Sequence, residues 1–265
     1  RVVVETIGGV EAAYEYTKRA LNAGKHVVTA NKQLVAEKGA ELLALAKKRG
    51  VNYLFEASVG GGIPIIRPIS QCLAANEMTE IAGILNGTTN FILTKMIREH
   101  MAFADALKLA QQLGYAERDP SADVDGHDAC RKICILAALA FGQHVYPDQV
   151  PTQGIRGVTL ADVAYADSCG YKIKLLGRAI REPEGKVCAF VAPHLVSCEN
   201  PLAGVEDVFN AIVVRGNATG EVMFYGKGAG DLPTASAVVA DVIDALRHDK
   251  APSPIGWSAG TEGVV

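Results

Sequence analysis

The chain carries little that would tie it to a metal, a membrane or a nucleic acid. Its six cysteines (72, 130, 134, 169, 188 and 198) include no CxxC pair and, with the histidines, spell no zinc-site motif. They read as small buried hydrophobes in a reducing compartment, so the expected location is the cytoplasm. No apolar run approaches the ~20 residues that span a bilayer, and no signal peptide opens the chain. The net charge of −3 lacks the strong basic excess of a nucleic-acid footprint. Repeats and low-complexity segments are absent too. Asn86 and Asn217 begin glycosylation sequons, but no signal peptide in this sequence supports secretion, so coincidence is the expectation. What remains is an ordinary globular composition: 49% hydrophobic against 21% charged, in 265 residues, enough for one large domain or two.

The N-terminal third alternates strand and helix. Val2–Val4, Lys25–Thr29 and Val51–Phe55 read as strands, and Glu11–Asn22 and Glu37–Arg49 as helices, joined by short glycine-punctuated turns. Such alternation predicts βαβ units on a parallel sheet. After Gly60-Gly61-Gly62 the grammar changes. Helices are expected over Ile66–Ala75, Thr89–Glu99, Phe103–Leu113, Asp125–Phe141, Ala161–Ser168 and Thr234–Arg247. Strands are expected over Met78–Leu85, Lys172–Arg181, Val187–Leu195, Ala211–Arg215 and Glu221–Tyr225. Strands grouped late predict an α+β second part, or one open sheet faced by helices.

The densest charge lies in Gly114–Lys132, where five carboxylates and three cations precede the apolar run Ile133–Phe141. Asp125, Asp128 and Lys132 are spaced i, i+3, i+7, which would put all three on one helix face. A solvated helix start with acids at its positive end is the alternative. Calcium fails on paper. From Ser121 the loop sets Asp123, Asp125 and Gly126 in EF-hand register, but the twelfth position is Lys132 instead of glutamate. Neither glycine loop is a dinucleotide fingerprint, because Ile65 and Pro233 occupy the third glycine positions. Each is a tight turn or a place for close backbone approach. Lys32 follows a predicted parallel strand at its carboxyl end, where open α/β sheets bind ligands.

Four segments together carry a resemblance: Thr29-Ala30-Asn31-Lys32, Phe55–Pro64, Leu85–Leu93 with its Asn-Gly-Thr-Thr-Asn run, and Gly114–Lys132. In this order they resemble homoserine dehydrogenase, from Val2 to about Leu246. The resemblance implies oxidation of L-homoserine to L-aspartate 4-semialdehyde with NADP or NAD, reversed in threonine, methionine and isoleucine biosynthesis. It also implies a homodimer. By the same resemblance Glu117 and Asp123 would bind the substrate. Lys132 would move the proton, with Asp128 orienting it and Lys32 near both substrate and nicotinamide. Thr6, Thr29, Asn31, Lys32, Gly228 and Gly230 would meet the cofactor. Glu56, Val59, Gly61 and Ile63 would hold sodium or potassium, mainly through main-chain carbonyls; zinc is not expected in a loop without cysteine or histidine.

The implied fold is α/β: the C-terminal part of a Rossmann-like parallel sheet in residues 1–56, with 228–265 packing back on it. A catalytic and dimerisation part would occupy 57–227. The G-x-G-x-x-G segment is not in this sequence, so the resemblance implies roughly 70 further residues before Arg1. The rival expectation is a non-catalytic amino-acid- and cation-binding fragment.

Overall fold

A computed structural model describes residues 1–253 and 255–260. Three strands, β1 (Val2–Glu5), β2 (His26–Thr29) and β3 (Tyr53–Leu54), form a parallel sheet in the order β1-β2-β3, with Val2 beside His26 and Val28 beside Leu54. Helices α1 (Glu11–Asn22) and α2 (Lys32–Arg49) make the crossovers. α2 starts five residues before its expected position. Asn31 caps it, accepting the Leu34 N–H at 3.0 Å, and Gly50 closes it in the left-handed conformation at φ 65°.

The stretch after the parallel sheet departs from expectation. The helix expected over Ile66–Ala75 stops at Cys72, and Pro68–Cys72 is a π turn in which the Leu73 N–H reaches the Pro68 carbonyl. Pro68 stands at the first position of that turn, where its missing N–H costs no bond.

The second sheet is antiparallel, built from β4 (Met78–Ile84), β5 (Tyr171–Arg181), β6 (Val187–Ser197), β7 (Phe209–Gly216) and β8 (Gly220–Lys227) in the order β6-β5-β4-β7-β8. Four helices, α3 (Gly87–Glu99), α4 (Phe103–Gln112), α5 (Ser121–Val124) and α6 (His127–Phe141), fill the chain between β4 and α7 (Leu160–Ser168). The late strands thus form their own sheet, as α+β. One contiguous core runs from Leu34 and Leu42 on α2, through Ile133 and Leu136 on α6, to Ile173 and Leu175 on β5. α6 sits tightly on β5, because a Cβ at Gly177 would come within 3.1 Å of Ile133. Ile133 is fully buried, so its side chain contributes about 1.5–3 kcal/mol.

α8 (Asp231–Arg247) returns to the parallel sheet, where Ala245, Val238 and Val242 pack on Val28 and Leu54. Of the expected 228–265 stretch, residues 254 and 261–265 lie outside the described residues. Among the described residues no helix is long and apolar enough to cross a membrane.

Two expectations are corrected. Asp125 is not on α6: Gly126 takes φ 87° and starts the helix at His127, so Asp125 turns away to pair with Arg156 near the surface. The shared face holds Asp128 and Lys132 only. The cysteines are not uniformly buried either, since Cys72, Cys169 and Cys198 are exposed.

Candidate active site

Asp128 and Lys132 stand one turn apart on α6, and the Lys132 ammonium donates to Asp128 Oδ2 at 2.7 Å and to the Leu85 carbonyl at 2.8 Å. Lys32, the first residue of α2, approaches the other carboxylate oxygen at 2.7 Å. Asn86 caps α3 through its Oδ1, which accepts the Thr89 N–H, and its Nδ2 donates to both Asp123 (2.7 Å) and Asp128 (2.9 Å). Two carboxylates, two ammoniums and one amide therefore meet where α2, α3, α5 and α6 begin or end.

Burial sets the electrostatics. Asp128 is only 5% exposed, and burial pushes its carboxyl up; Lys132 and Lys32 outweigh that and hold it well below the usual carboxylate range. Burial also holds the Lys132 ammonium below a lysine's ordinary pKa, with Asp128 opposing and Lys32 reinforcing the shift. The Asp123 carboxyl is raised, by burial first, against the bond from Asn86 and with the charge of Asp128 adding to it. A lysine that loses its proton more readily than in water, fixed beside a carboxylate, is suited to general acid–base work.

These groups line one cavity of 560 Å³, which also takes in Glu117, Gly228 and Gly230. Glu117 is exposed on its loop, while Asp123 and Lys32 are part-buried or half-exposed at the wall. Thr6, Thr29 and Asn31 are not in this lining. They lie at the carboxyl ends of β1 and β2, and two of their side chains are already engaged. The Thr29 hydroxyl donates to Glu5 Oε2 and accepts the Asn31 N–H, and Asn31 Nδ2 donates to the Gly9 carbonyl.

The loop that the resemblance assigns to a cation lies beside the site. Gly61 and Ile63 line a smaller cavity of 210 Å³ with Glu56 and Arg67, and Pro233 borders both cavities. The Glu56 carboxylate accepts the N–H groups of Ile65 (2.7 Å), Ile66 (2.8 Å) and Arg67 (3.0 Å), and its own N–H donates to Asp241 Oδ2 at 2.8 Å. The carboxylate thus fastens the loop from behind. Among the described residues no hydrogen bond reaches the carbonyls of Val59, Gly61 or Ile63. Carbonyl oxygens without a hydrogen-bond partner are the chemistry that a monovalent cation would need there.

The two glycine loops meet each other. The Gly62 N–H donates to the Lys227 carbonyl at 3.0 Å, and a Cβ on Gly61 would fall 2.5 Å from the Gly228 carbonyl oxygen. Sequence reasoning missed this seam and the two hydrogen bonds donated by Asn86. The available signal for Asn86 was its place as an N-cap before Gly-Thr-Thr.

The homoserine dehydrogenase family signature matches residues 64–243, and the signature described as homoserine dehydrogenase, NAD binding domain, matches residues 1–56. A homoserine dehydrogenase of Bacillus subtilis is 49% identical over 247 residues, covering 93% of this chain and 57% of that protein. The solved homoserine dehydrogenase of Thiobacillus denitrificans is 49% identical with a TM-score of 0.92, over 94% of this chain and 58% of that one. A hyperthermophilic archaeal homoserine dehydrogenase solved in complex with NADPH is 35% identical with a TM-score of 0.79, over 93% of this chain and 71% of that one. The chain spans a little over half the length of the curated relatives it matches.

Proposed function

The chain belongs to the homoserine dehydrogenase family, and on that premise we propose that it interconverts L-homoserine and L-aspartate 4-semialdehyde with NADP or NAD. The observation that carries this is the donor count at Lys132. An ammonium has three hydrogens. Leu85 and Asp128 engage two of them, leaving one position for the substrate hydroxyl in the cavity that Lys132 lines. Lys132 takes the hydroxyl proton as the carbonyl forms and returns it in the reverse direction. Asp128 keeps the lysine aimed, and Lys32, bound to the same carboxylate, favours the deprotonated state of Lys132. Glu117 and Asp123 supply anions for the substrate ammonium.

A nicotinamide, when bound, accepts the hydride. The crevice beside β1 suits a dinucleotide: Thr6 and Ile7 are exposed at the strand's carboxyl end, and a Cβ at Gly8 or Gly9 would meet nothing within 4 Å. Thr29, Asn31, Lys32, Gly228 and Gly230 would complete that surface, the first two through backbone and shape. Sodium or potassium would sit on the Val59, Gly61 and Ile63 carbonyls, with Glu56 as the brace. In this reading residues 1–56 with the 228–265 stretch form the nucleotide half, and 57–227 the catalytic and dimerisation half of a cytoplasmic enzyme. A homodimer is supported by β8, where Phe224 packs on the core while Met223 and Tyr225 on the opposite face are exposed.

The test is reduced-cofactor formation from L-homoserine, paired with fluorescence titration of NADP and NAD. Homoserine-dependent absorbance at 340 nm is expected. Homoserine binding without turnover would instead leave an amino-acid-binding unit, and absence of both would end the reading.

A further inference from the structure

A second polar cluster lies behind the cavity, and the chemistry above does not use it. Lys174, in the middle of β5, is 1% exposed, and its ammonium donates to Asn90 Oδ1 at 3.2 Å and to the Val205 carbonyl at 2.5 Å. Asn90, equally buried on α3, directs its Nδ2 to the carbonyls of Val205 (3.2 Å), Asp207 (3.0 Å) and Phe209 (3.1 Å). One turn on, Thr94 Oγ1 accepts the Asp207 N–H at 3.0 Å. Almost every polar contact of this cluster ends on the backbone of one short loop.

That loop needs holding. Asp207 sits in the left-handed region at φ 52°, a conformation that is uncommon for a non-glycine residue and that tight local bonding helps to hold. Its neighbour Val208 lines the same cavity as Lys32, Asp128 and Lys132. Val208 is also pressed against α3, since a Cβ at Gly87 would fall 2.8 Å from its carbonyl oxygen. A buried ammonium is an expensive way to stabilise a loop that apolar packing could cover; burial lowers Lys174 to about 8. What the ammonium and the amide supply is one fixed geometry.

We propose that Asn90 and Lys174 are positioning residues for the substrate: they fix the 205–209 loop so that Val208 walls the cavity at the distance homoserine requires. This rests on the homoserine reading above. Asn90→Asp keeps an acceptor for Lys174 but removes the donor to the three carbonyls, Lys174→Met removes the ammonium at similar length, and Val208→Ala changes the wall without touching the cluster.

The experiment measures homoserine affinity by calorimetry, well below each variant's melting temperature, alongside steady-state KM and kcat. All three variants are expected to weaken binding and raise KM for homoserine about 10-fold, with kcat within about twofold, as for lost uniform binding from a displaced wall. A fold defect alone would lower kcat by loss of active molecules and leave KM unmoved. If the unaltered protein does not bind homoserine, the functional reading falls and takes this inference with it. If it binds and the variants match it within twofold, this inference alone is overturned. Should Lys174→Met not fold, Asn90→Asp and Val208→Ala decide.

Discussion

Asp128 accepts the Lys132 ammonium from one turn along the same helix while its second oxygen meets Lys32 from a different part of the fold. One carboxylate thereby fixes the separation of two cations that would otherwise repel each other. In the proposed reaction, proton transfer depends on that arrangement.

Lys132→Ala should lower turnover by about 10²–10⁴, the usual size of general acid–base help, with little change in the circular-dichroism spectrum. Retention of more than a third of the turnover would remove Lys132 from this role.

Asp128→Asn should move the acidic limb of the kcat/KM profile for homoserine oxidation to lower pH. Asp128 raises the Lys132 pKa; without it the ammonium gives up its proton at lower pH, and the base form appears earlier. A displacement of about one unit fits the loss of an opposite charge at this range, with kcat falling as well because the lysine is no longer aimed. A profile between pH 6 and 10 measures it, and an unmoved limb would assign the titration to another group.

Glu117→Gln should raise KM for homoserine strongly at nearly constant kcat, since it removes a charge-assisted contact present in both ground and transition states. Steady-state kinetics varying each substrate in turn separates the possibilities. A defect confined to the cofactor KM would move Glu117 to the other half of the site.

Gly61→Ala should destabilise the protein by about 1–3 kcal/mol. The residue has φ 53°, and its new methyl would strike the Gly228 carbonyl. Urea unfolding reads the change, and an unaltered midpoint would mean that the two glycine loops yield without cost.

Much of the fold was legible because local signals agreed with it. α1 spans the very residues, Glu11–Asn22, that periodicity and Gly24 delimit. The parallel order of β1, β2 and β3 follows from crossover helices of the right length. α2 was started too late because Lys32–Ala36 has no amphipathic rhythm, and its true signal was the cap Asn31. Spacing put Asp125 on the wrong element because one left-handed glycine, Gly126, breaks the count. Lys174 could not be read at all. It shares a face of β5 with Lys172, a pattern that suggests solvent, and only the tertiary return of residues 201–209 buries it. Spacing singled out Asp128 and Lys132, and the strand end Lys32; Glu117 and Asp123, and the roles of all five, came from motif resemblance, and the cavity gathers all five. Asn86, which binds two of them, was hidden because its amide bonds join segments distant in sequence.

The seam between the glycine loops also bears on how this chain can fold. The Gly62–Lys227 bond ties the segment following the parallel sheet to the end of the last antiparallel strand. Contacts of such long sequence separation carry the loop-closure cost of the chain between them, which slows their formation. Lys32 enters the cavity from the N-terminal sheet, Lys132 from the middle of the chain and Gly228 from near its end. No half-folded chain can gather these groups, so the cavity is complete only once both sheets and the segments between them are in place.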